Sequence, residues 1–280
     1  MPRRRRGRAA SKMDRVAPTK QPFPLTKGSQ MTSAAQKIFE RPAFLRRYEK
    51  RVHGRFLSSF AHQKMNYESI YSDLLALAPR PASAGRGPKD APPANPIADP
   101  PASPPVSPPA KALIVDLGCG TGWFARRLAT DPALAESAIV GLDVSPAAIE
   151  VARELARSVP KPHAALRFAV ANAEDLAEHT AEPAAEIWLC GALHQMSRPE
   201  LALEQVAGAL GPDGVMYCQT FCENPDLVAR VDIKVLSWFG HRVFARGELD
   251  AMAEKAGLVI VAEQLRGLVL LAAFKRRRHS

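Results

Sequence analysis

Residues 116 to 122 read Asp-Leu-Gly-Cys-Gly-Thr-Gly; they close the apolar run Ala112 to Leu117 and precede a helical stretch that starts at Trp123. Three glycines at alternate positions, Gly118, Gly120 and Gly122, let the chain turn sharply and let a ligand approach bare backbone. The N-terminus of the following helix points at the same place. The next apolar run ends in Gly141, Leu142 and Asp143. A carboxylate at that point can accept both hydroxyls of a ribose, so the ligand is nucleotide-like. A dinucleotide fingerprint would be G-x-G-x-x-G or A. Here the spacing is G-x-G-x-G, and the bulky Trp123 stands where the third small residue belongs, which argues against NAD. Asp116, two residues before the first glycine, suits an amino group better than a pyrophosphate.

The elements that position these residues follow from apolar periodicity. Short apolar runs alternate with helical stretches from Ala112 onward, with strands expected at 112–117, 138–142, 166–170, 187–190 and 215–221. Helices are expected at 123–129, 146–157, 199–210 and 247–256. Strand and helix alternating at this pitch mean a parallel sheet with helices on both faces. The last two strands, 258–264 and 268–274, are separated by three residues, too few for a crossover, so they pair as an antiparallel hairpin. The fold class is therefore α/β, a Rossmann-like, seven-stranded, mostly parallel sheet ending in that hairpin.

Upstream, Phe44, Tyr48, Val52, Phe56 and Phe60 recur every four residues beside Leu45 and Leu57. That spacing predicts one amphipathic helix, with Arg46, Arg47, Lys50, Arg51 and Arg55 on its other faces. A second helix is expected over 67–78. Residues 79–110 contain 12 prolines and read as a linker or surface insertion of polyproline character, with PxxP recognition a generic possibility. The expected organisation is a basic tail over 1–36, helices over 37–78, the proline-rich stretch over 79–110, a main domain over 111–276 and a basic end over 277–280.

The formal charge of +10 is uneven: residues 1–60 carry 16 Lys or Arg against 3 acids, and 275–280 carry 4 basic residues, leaving 61–274 at −7. The high pI thus describes the ends, not the central site. The Arg-rich residues 1–30 fit an organellar transit peptide, a nucleic-acid or nuclear-import patch, or a tail before a start at Met31. The compartment is accordingly expected to be cytoplasmic or organellar, and the lack of an apolar h-region argues against secretion. Four cysteines with no C-x-x-C pair argue against a disulfide scaffold or structural zinc, and no metal is expected. No apolar run reaches the ~18 residues of a membrane span.

These motifs resemble the class I S-adenosylmethionine-dependent methyltransferases, specifically the small-molecule branch called type 11, over roughly residues 112–276. DLGCGTG is similar to the family's first motif, which implies that Asp116, Gly118, Cys119, Gly120 and Gly122 cradle the methionine part of S-adenosylmethionine. Asp143 matches the ribose-binding acid, with Val144 beside it. Asn172, Ala173 and Glu174 resemble the D-A-E segment that contacts adenine. EIWLCGALHQM, including Cys190, resembles the fourth strand and its active-site edge, and LGPDGVMYCQTF resembles the L-x-P-G-G turn and fifth strand. The runs CGALHQMSRPE and RRYEKRVHGRF are most similar to uncharacterised plant and algal plastid methyltransferases. Three positions depart from the pattern: Asn172 replaces Asp, Glu186 stands where Asp is common, and Asp213 replaces the first glycine of the turn, where Asp tolerates left-handed geometry better than most residues.

A methyl acceptor with a proton to lose needs a base, and His194, just past the fourth strand, is the candidate, with packing against the cofactor as its alternative role. His241 is a second candidate. Cys119 and Cys190 read as small packing residues. Residues 223–246, with Trp238 and Phe239, and the aromatic helix at 44–60 are expected to form an apolar lid over a hydrophobic small-molecule acceptor. Cys190-Gly191-Ala192-Leu193 lacks the [DNS]-P-P-[YFW] segment of enzymes that methylate base or glutamine nitrogen. Two other readings stay open at this level: an RNA or protein methyltransferase that uses the basic ends, and a non-catalytic scaffold that binds S-adenosylmethionine.

Overall fold

In the computed structural model the described residues are 41–81, 112–160 and 162–277, excluding the side chains of 227–229. The expectations for the basic tail, most of the proline-rich stretch and the transit peptide fall outside these residues. The strands are β1 (Leu113–Leu117), β2 (Ala138–Asp143), β3 (Ala165–Val170), β4 (Ala184–Cys190), β5 (Leu210–Phe221), β6 (Leu258–Arg266) and β7 (Val269–Arg276). They form one seven-stranded sheet in the order β3-β2-β1-β4-β5-β7-β6, with β7 antiparallel to both β5 and β6. The chain reverses between β6 and β7 through Gly267 and Leu268 alone, which is why no crossover forms.

Alternation along the central strands divides the core. Ile114, Trp188 and Tyr217 face one layer of helices, and Val115, Ile187, Leu189 and Cys218 face the other. The first layer contains α1 (Pro42–Arg47), α2 (His53–Ala61), α3 (Tyr67–Leu77), α4 (Trp123–Ala129) and α5 (Pro146–Ala156). The second contains α6 (Pro199–Ala209) and α8 (Glu248–Lys255). Leu57, Phe60, Ile70 and Leu74 from α2 and α3 share one cluster with Trp188 and Leu271, so these upstream helices complete the sheet's own core. Between β1 and β4 the strand order reverses direction, the switch point at which open α/β sheets form a ligand crevice at the carboxyl ends of the strands.

The structure departs from expectation in three places. First, the single helix expected over 44–60 is interrupted by a π turn at Tyr48–Val52. The added residue shifts the register, so His53, Leu57, Phe60 and Ala61 are buried while Tyr48, Val52 and Phe56 are half-buried. Second, β5 begins at Leu210 and not at Val215, because Ala184 pairs with Leu210 across a bulge next to Glu186. Asp213 has no left-handed backbone there; the only non-glycine residue with positive φ among those described is His62. Third, residues 227–238 form a helix, α7 (Leu227–Trp238), that the spacing did not announce.

Candidate active site

The glycine loop is fastened to the end of β2: the Gly118 and Cys119 amides both donate to Leu142 O, at 2.7 and 2.9 Å. Gly118, Gly120 and Gly122 have φ of +69°, +53° and +77°. A Cβ on Gly118 would lie 2.4 Å from the Ala192 Cβ, so the loop after β4 rests directly on the glycine loop. At Gly120 no atom lies within 4 Å of where a Cβ would stand, which leaves bare backbone facing open space. This is the cradle a nucleotide-like ligand requires. Asp143 borders it with both carboxylate oxygens held, Oδ2 by the Gly120 amide at 2.8 Å and Oδ1 by the Ser145 amide at 2.9 Å. Burial pushes the Asp143 carboxyl up, and the two amides oppose that shift.

Asp116 is fastened to the protein itself through one of its oxygens. It is 1% exposed, and its Oδ2 accepts the Ala125 amide at 2.9 Å, which ties β1 to the first turn of α4. Burial raises its pKa to about 7. A neighbour that the sequence did not reveal is Glu49, on the π turn. Its carboxylate accepts from the Thr121 hydroxyl and, at 2.7 Å, from Arg126 Nη2, so it binds the upstream helices to the glycine loop. Glu49 stands among five basic residues, and only its isolation as an acid could have singled it out.

The far rim carries the segment expected at adenine. Asn172 Oδ1 accepts the Glu174 amide at 3.2 Å, Ala173 is buried, and the Glu174 carboxylate is ion-paired with Arg198. Val144 is 60% exposed at the edge of the crevice. Cys119 is buried and Cys190 half-buried, with burial pushing both thiols well above their usual range, so both stay neutral and act as packing groups. Among the described residues no group of three or more His, Cys, Asp or Glu is placed to hold a metal ion.

Beyond β4, His194 lies in the turn Leu193–Gln195, two residues from the Ala192 that touches the glycine loop. Its Nδ1 is 3.4 Å from Thr220 Oγ1, which leaves Nε2 as the ring nitrogen available for a proton. A continuous ring cluster surrounds it. His194 is 4.6 Å from Phe221 and 5.1 Å from His241, and His241 is 5.4 Å from Phe56 on α2. One turn earlier on α2, His53 stacks face to face on Tyr67 at 3.6 Å, and Tyr67 stacks on Trp123 at 5.1 Å. Thus α2 spans the crevice from the helix behind the glycine loop to the end of β5. Of the two stretches expected to cover an acceptor, Phe56 and His241 are the aromatic residues that join this cluster. Trp238 and Phe239 pack on each other at 4.9 Å and are 81% and 43% exposed.

His53 Nδ1 and His241 Nδ1 are buried and have no hydrogen-bond partner among the described residues. Each such nitrogen costs about 1–3 kcal/mol. Burial lowers the pKa of His53 to about 3 and of His241 to about 4; it also holds His194 well below 6.5, where repulsion from the other two adds to the effect. All three imidazoles are therefore neutral in the folded chain. Each binds a proton on unfolding below pH 6.5, so the stability they contribute is complete above that pH. It is lost as pH falls towards 4, at ~1.4 kcal/mol per pH unit for each histidine. Asp116, Asp143 and Glu186, whose pKa values are raised, act in the opposite direction, Asp116 up to about pH 7. His241→Phe should therefore flatten the loss of thermal stability between pH 6.5 and 4.5 relative to the parent. Equal slopes in a melting series would show that His241 is charged in the folded protein.

Residues 110–257 match the family described as a methyltransferase domain. Among curated proteins none matches the sequence. Among solved structures, the chain is similar to a complex between the Haloferax volcanii Trm112 methyltransferase activator and the putative methyltransferase. The TM-score is 0.50 at 20% identity, covering 61% of this chain and 86% of that one. Lower similarity, at a TM-score of 0.49 and 18% identity, links it to an O-methyltransferase family protein from Burkholderia thailandensis, over 61% of this chain and 52% of that one. For the mitomycin 7-O-methyltransferase the TM-score is 0.47 at 23% identity, over 59% and 49%. The first of these similarities supports the fold alone. The family match covers more than half of the chain, and its glycine loop, bare at Gly120 and bordered by Asp143, fits the cofactor: the protein belongs to the class I methyltransferase family and uses S-adenosylmethionine.

Proposed function

We propose that the protein transfers a methyl group to a small hydrophobic acceptor held in the ring-lined space beneath α2. The observation that carries this reading is the contact between Gly118 and Ala192, which sets the loop bearing His194 against the cradle of the glycine loop. When bound, S-adenosylmethionine supplies an already activated methyl group, so the chain needs to position and to exclude water more than to attack. Gly118 to Gly122 hold the methionine end, and Asp143 takes the ribose hydroxyls. Asn172, Ala173 and Glu174 border the adenine. Phe56 and Phe221, with His241, keep the acceptor space dry. His194 Nε2 accepts the acceptor's proton; its depressed pKa keeps it unprotonated and ready at neutral pH.

Calorimetric titration should show S-adenosylmethionine binding with NAD inert. His194→Ala should retain that affinity within about threefold, while labelled-methyl turnover on an extract of small molecules falls about a hundredfold or more. Binding of NAD alone would overturn the reading, and full turnover by His194→Ala would leave His194 a packing residue.

A further inference from the structure

Helix α7 is apolar on two opposite sides. Leu236 and Ile233 face inward, onto the cluster that holds Phe60 and Leu271. At about 100° per residue, Val231, Val235 and Trp238 fall within about 60° of one another on the side turned away from that cluster. They are 62%, 37% and 81% exposed, and Phe239 extends the stripe past the end of the helix. An outer helix face is ordinarily polar, and an apolar stripe left in water marks a surface that something covers. Cations edge it on both sides. Lys234 and Arg230 border one side, and beyond them a cavity of about 680 Å³ is lined by Arg230, Arg246, Ile233 and Leu265, with Glu223 as an acid in its wall. On the other side His62 Nε2 lies 2.7 Å from Asp232 Oδ2, which ties α7 to the end of α2. Arg55 is exposed about two turns before His62 on the same side of α2, and Lys64 is exposed just after it. None of Arg55, Lys64, Arg230, Lys234 and Arg246 forms an ion pair among the described residues.

We infer that the outer face of α7 docks on an anionic lipid bilayer, with the apolar stripe at the boundary of headgroups and acyl chains and the flanking cations at the lipid phosphates. Charge and chain path select this occupant. A second copy of the chain would set the stripe against its own image and bring two copies of Lys234 and Arg230 together, where like charges repel. Residues 1–40 carry 10 Lys or Arg against 2 acids, the same sign as the edges of the stripe. Residues 82–111 join the described chain at Pro81 and Ala112, beside the amino end of β1, whereas α7 follows the carboxyl end of β5. Their large apolar residues are Ile97 and Val106 alone. A groove on a protein would need to match a ridge on which Trp238 stands almost wholly exposed, while a bilayer accepts such a ridge without a matching shape. Tryptophan beside Lys and Arg is also the composition that settles at a membrane interface, the ring in the boundary and the cations on phosphate. Docking there would set His241, which follows α7 directly, beside the bilayer as a source of hydrophobic acceptor. That consequence rests on the methyltransferase reading; the docking itself does not.

The test uses the full chain and two sets of vesicles, phosphatidylcholine alone and phosphatidylcholine with phosphatidylglycerol at about three to one. Cosedimentation should show binding to the mixed vesicles about tenfold or more tighter than to phosphatidylcholine, and weaker as salt is raised. Trp238 is its own reporter, because Trp188 is fully buried and Trp123 is stacked on Tyr67. Its emission should move to the blue on binding, and brominated lipid should quench it; Trp238→Phe should lose both signals. Trp238→Ala, and Val231→Ser combined with Val235→Ser, should each weaken binding about fivefold or more. All these side chains are exposed, so the melting temperature should stay within a few degrees of the parent. Vesicle binding with unchanged Trp238 emission, and equal in the variants, is adsorption of the basic ends alone and would overturn the inference. So would equal binding to both vesicle sets, or no binding to either, which leaves the face to an acidic protein. A dimer in sedimentation that Trp238→Ala dissolves, with no lipid binding, would assign the face to a second copy. Cofactor affinity has no part in these outcomes, so failure to bind S-adenosylmethionine removes the methyltransferase reading and leaves the docking to its own test.

Discussion

Asp143→Ala is expected to weaken S-adenosylmethionine binding by at least about a hundredfold and to leave the fold intact. Two losses combine. The carboxylate that would take the two ribose hydroxyls disappears, and hydrogen bonds to a charged group are worth about 1.5–3 kcal/mol each. The same carboxylate also holds the Gly120 amide at 2.8 Å and the Ser145 amide at 2.9 Å, so the variant frees the glycine loop as well as its ribose contact. Little stability should be lost, because burial already disfavours the charge on Asp143. Asp143→Asn separates the two effects: its amide oxygen can keep one backbone amide while its NH2 opposes the other, so an intermediate affinity is expected. Calorimetry on both variants, with circular dichroism to verify folding, is the measurement. Unchanged affinity in Asp143→Ala would remove this residue from the site.

The largest effect on stability is expected at Arg80. Its guanidinium reaches into the base of the sheet, with Nη1 3.2 Å from Glu186 Oε1, Nη2 3.3 Å from Asp131 Oδ2, and Nη2 donating to the Tyr71 hydroxyl. Glu186 is fully buried on β4, and its other oxygen accepts the Trp188 indole N–H at 2.8 Å. Replacing a buried ion pair by apolar groups can be harmless, whereas removing one partner strands a charge, at about 3–5 kcal/mol. Arg80→Ala should therefore lower the melting temperature by roughly 6–20 °C. Adding Glu186→Gln should recover part of that loss by removing the stranded charge. The pH dependence has a definite sign. Burial already raises the Glu186 pKa, and without Arg80 it rises further. Protonation is then favoured in the folded state, so Arg80→Ala is less destabilised at pH 5 than at pH 8. Equal destabilisation at both values, or no rescue by Glu186→Gln, would mean that Arg80 acts through packing alone.

The positions of Arg80 and Glu49 show where sequence reasoning stops. Glu49 belongs to a stretch read as a helix with a basic face and Arg80 to the stretch read as a proline-rich linker, yet both turn inward onto residues more than 70 positions away, Arg80 onto Glu186 and Glu49 onto Thr121 and Arg126. Nothing in local spacing marks which charge on a helix will be buried. The same holds for His53. A strict four-residue repeat places Val52 in the seam with Phe56, and the π turn moves His53 there instead. Glu49, on that turn, contacts Thr121 and Arg126, a tertiary contact. Trp238 failed the opposite way: an apolar composition suggested a lid residue, and the packing of α7 directs it to solvent.

What the sequence determined by itself is whatever depends on neighbours in the chain. Alternating glycines after an apolar strand, an acid ending the next strand and a reversal too short for a crossover between the last two strands each constrain the backbone locally. From these follow the sheet, the glycine loop, Asp143 and the terminal hairpin. The tertiary structure alone decided which side chains meet across the crevice. Packing α2 against the end of β5 brought Phe56 onto Phe221 and His241, and His241 lies against His194, although 47 residues separate the two histidines along the chain. Such meetings depend on helix register, burial and the balance of desolvation against pairing summed over the whole core, and no short window of sequence contains that sum.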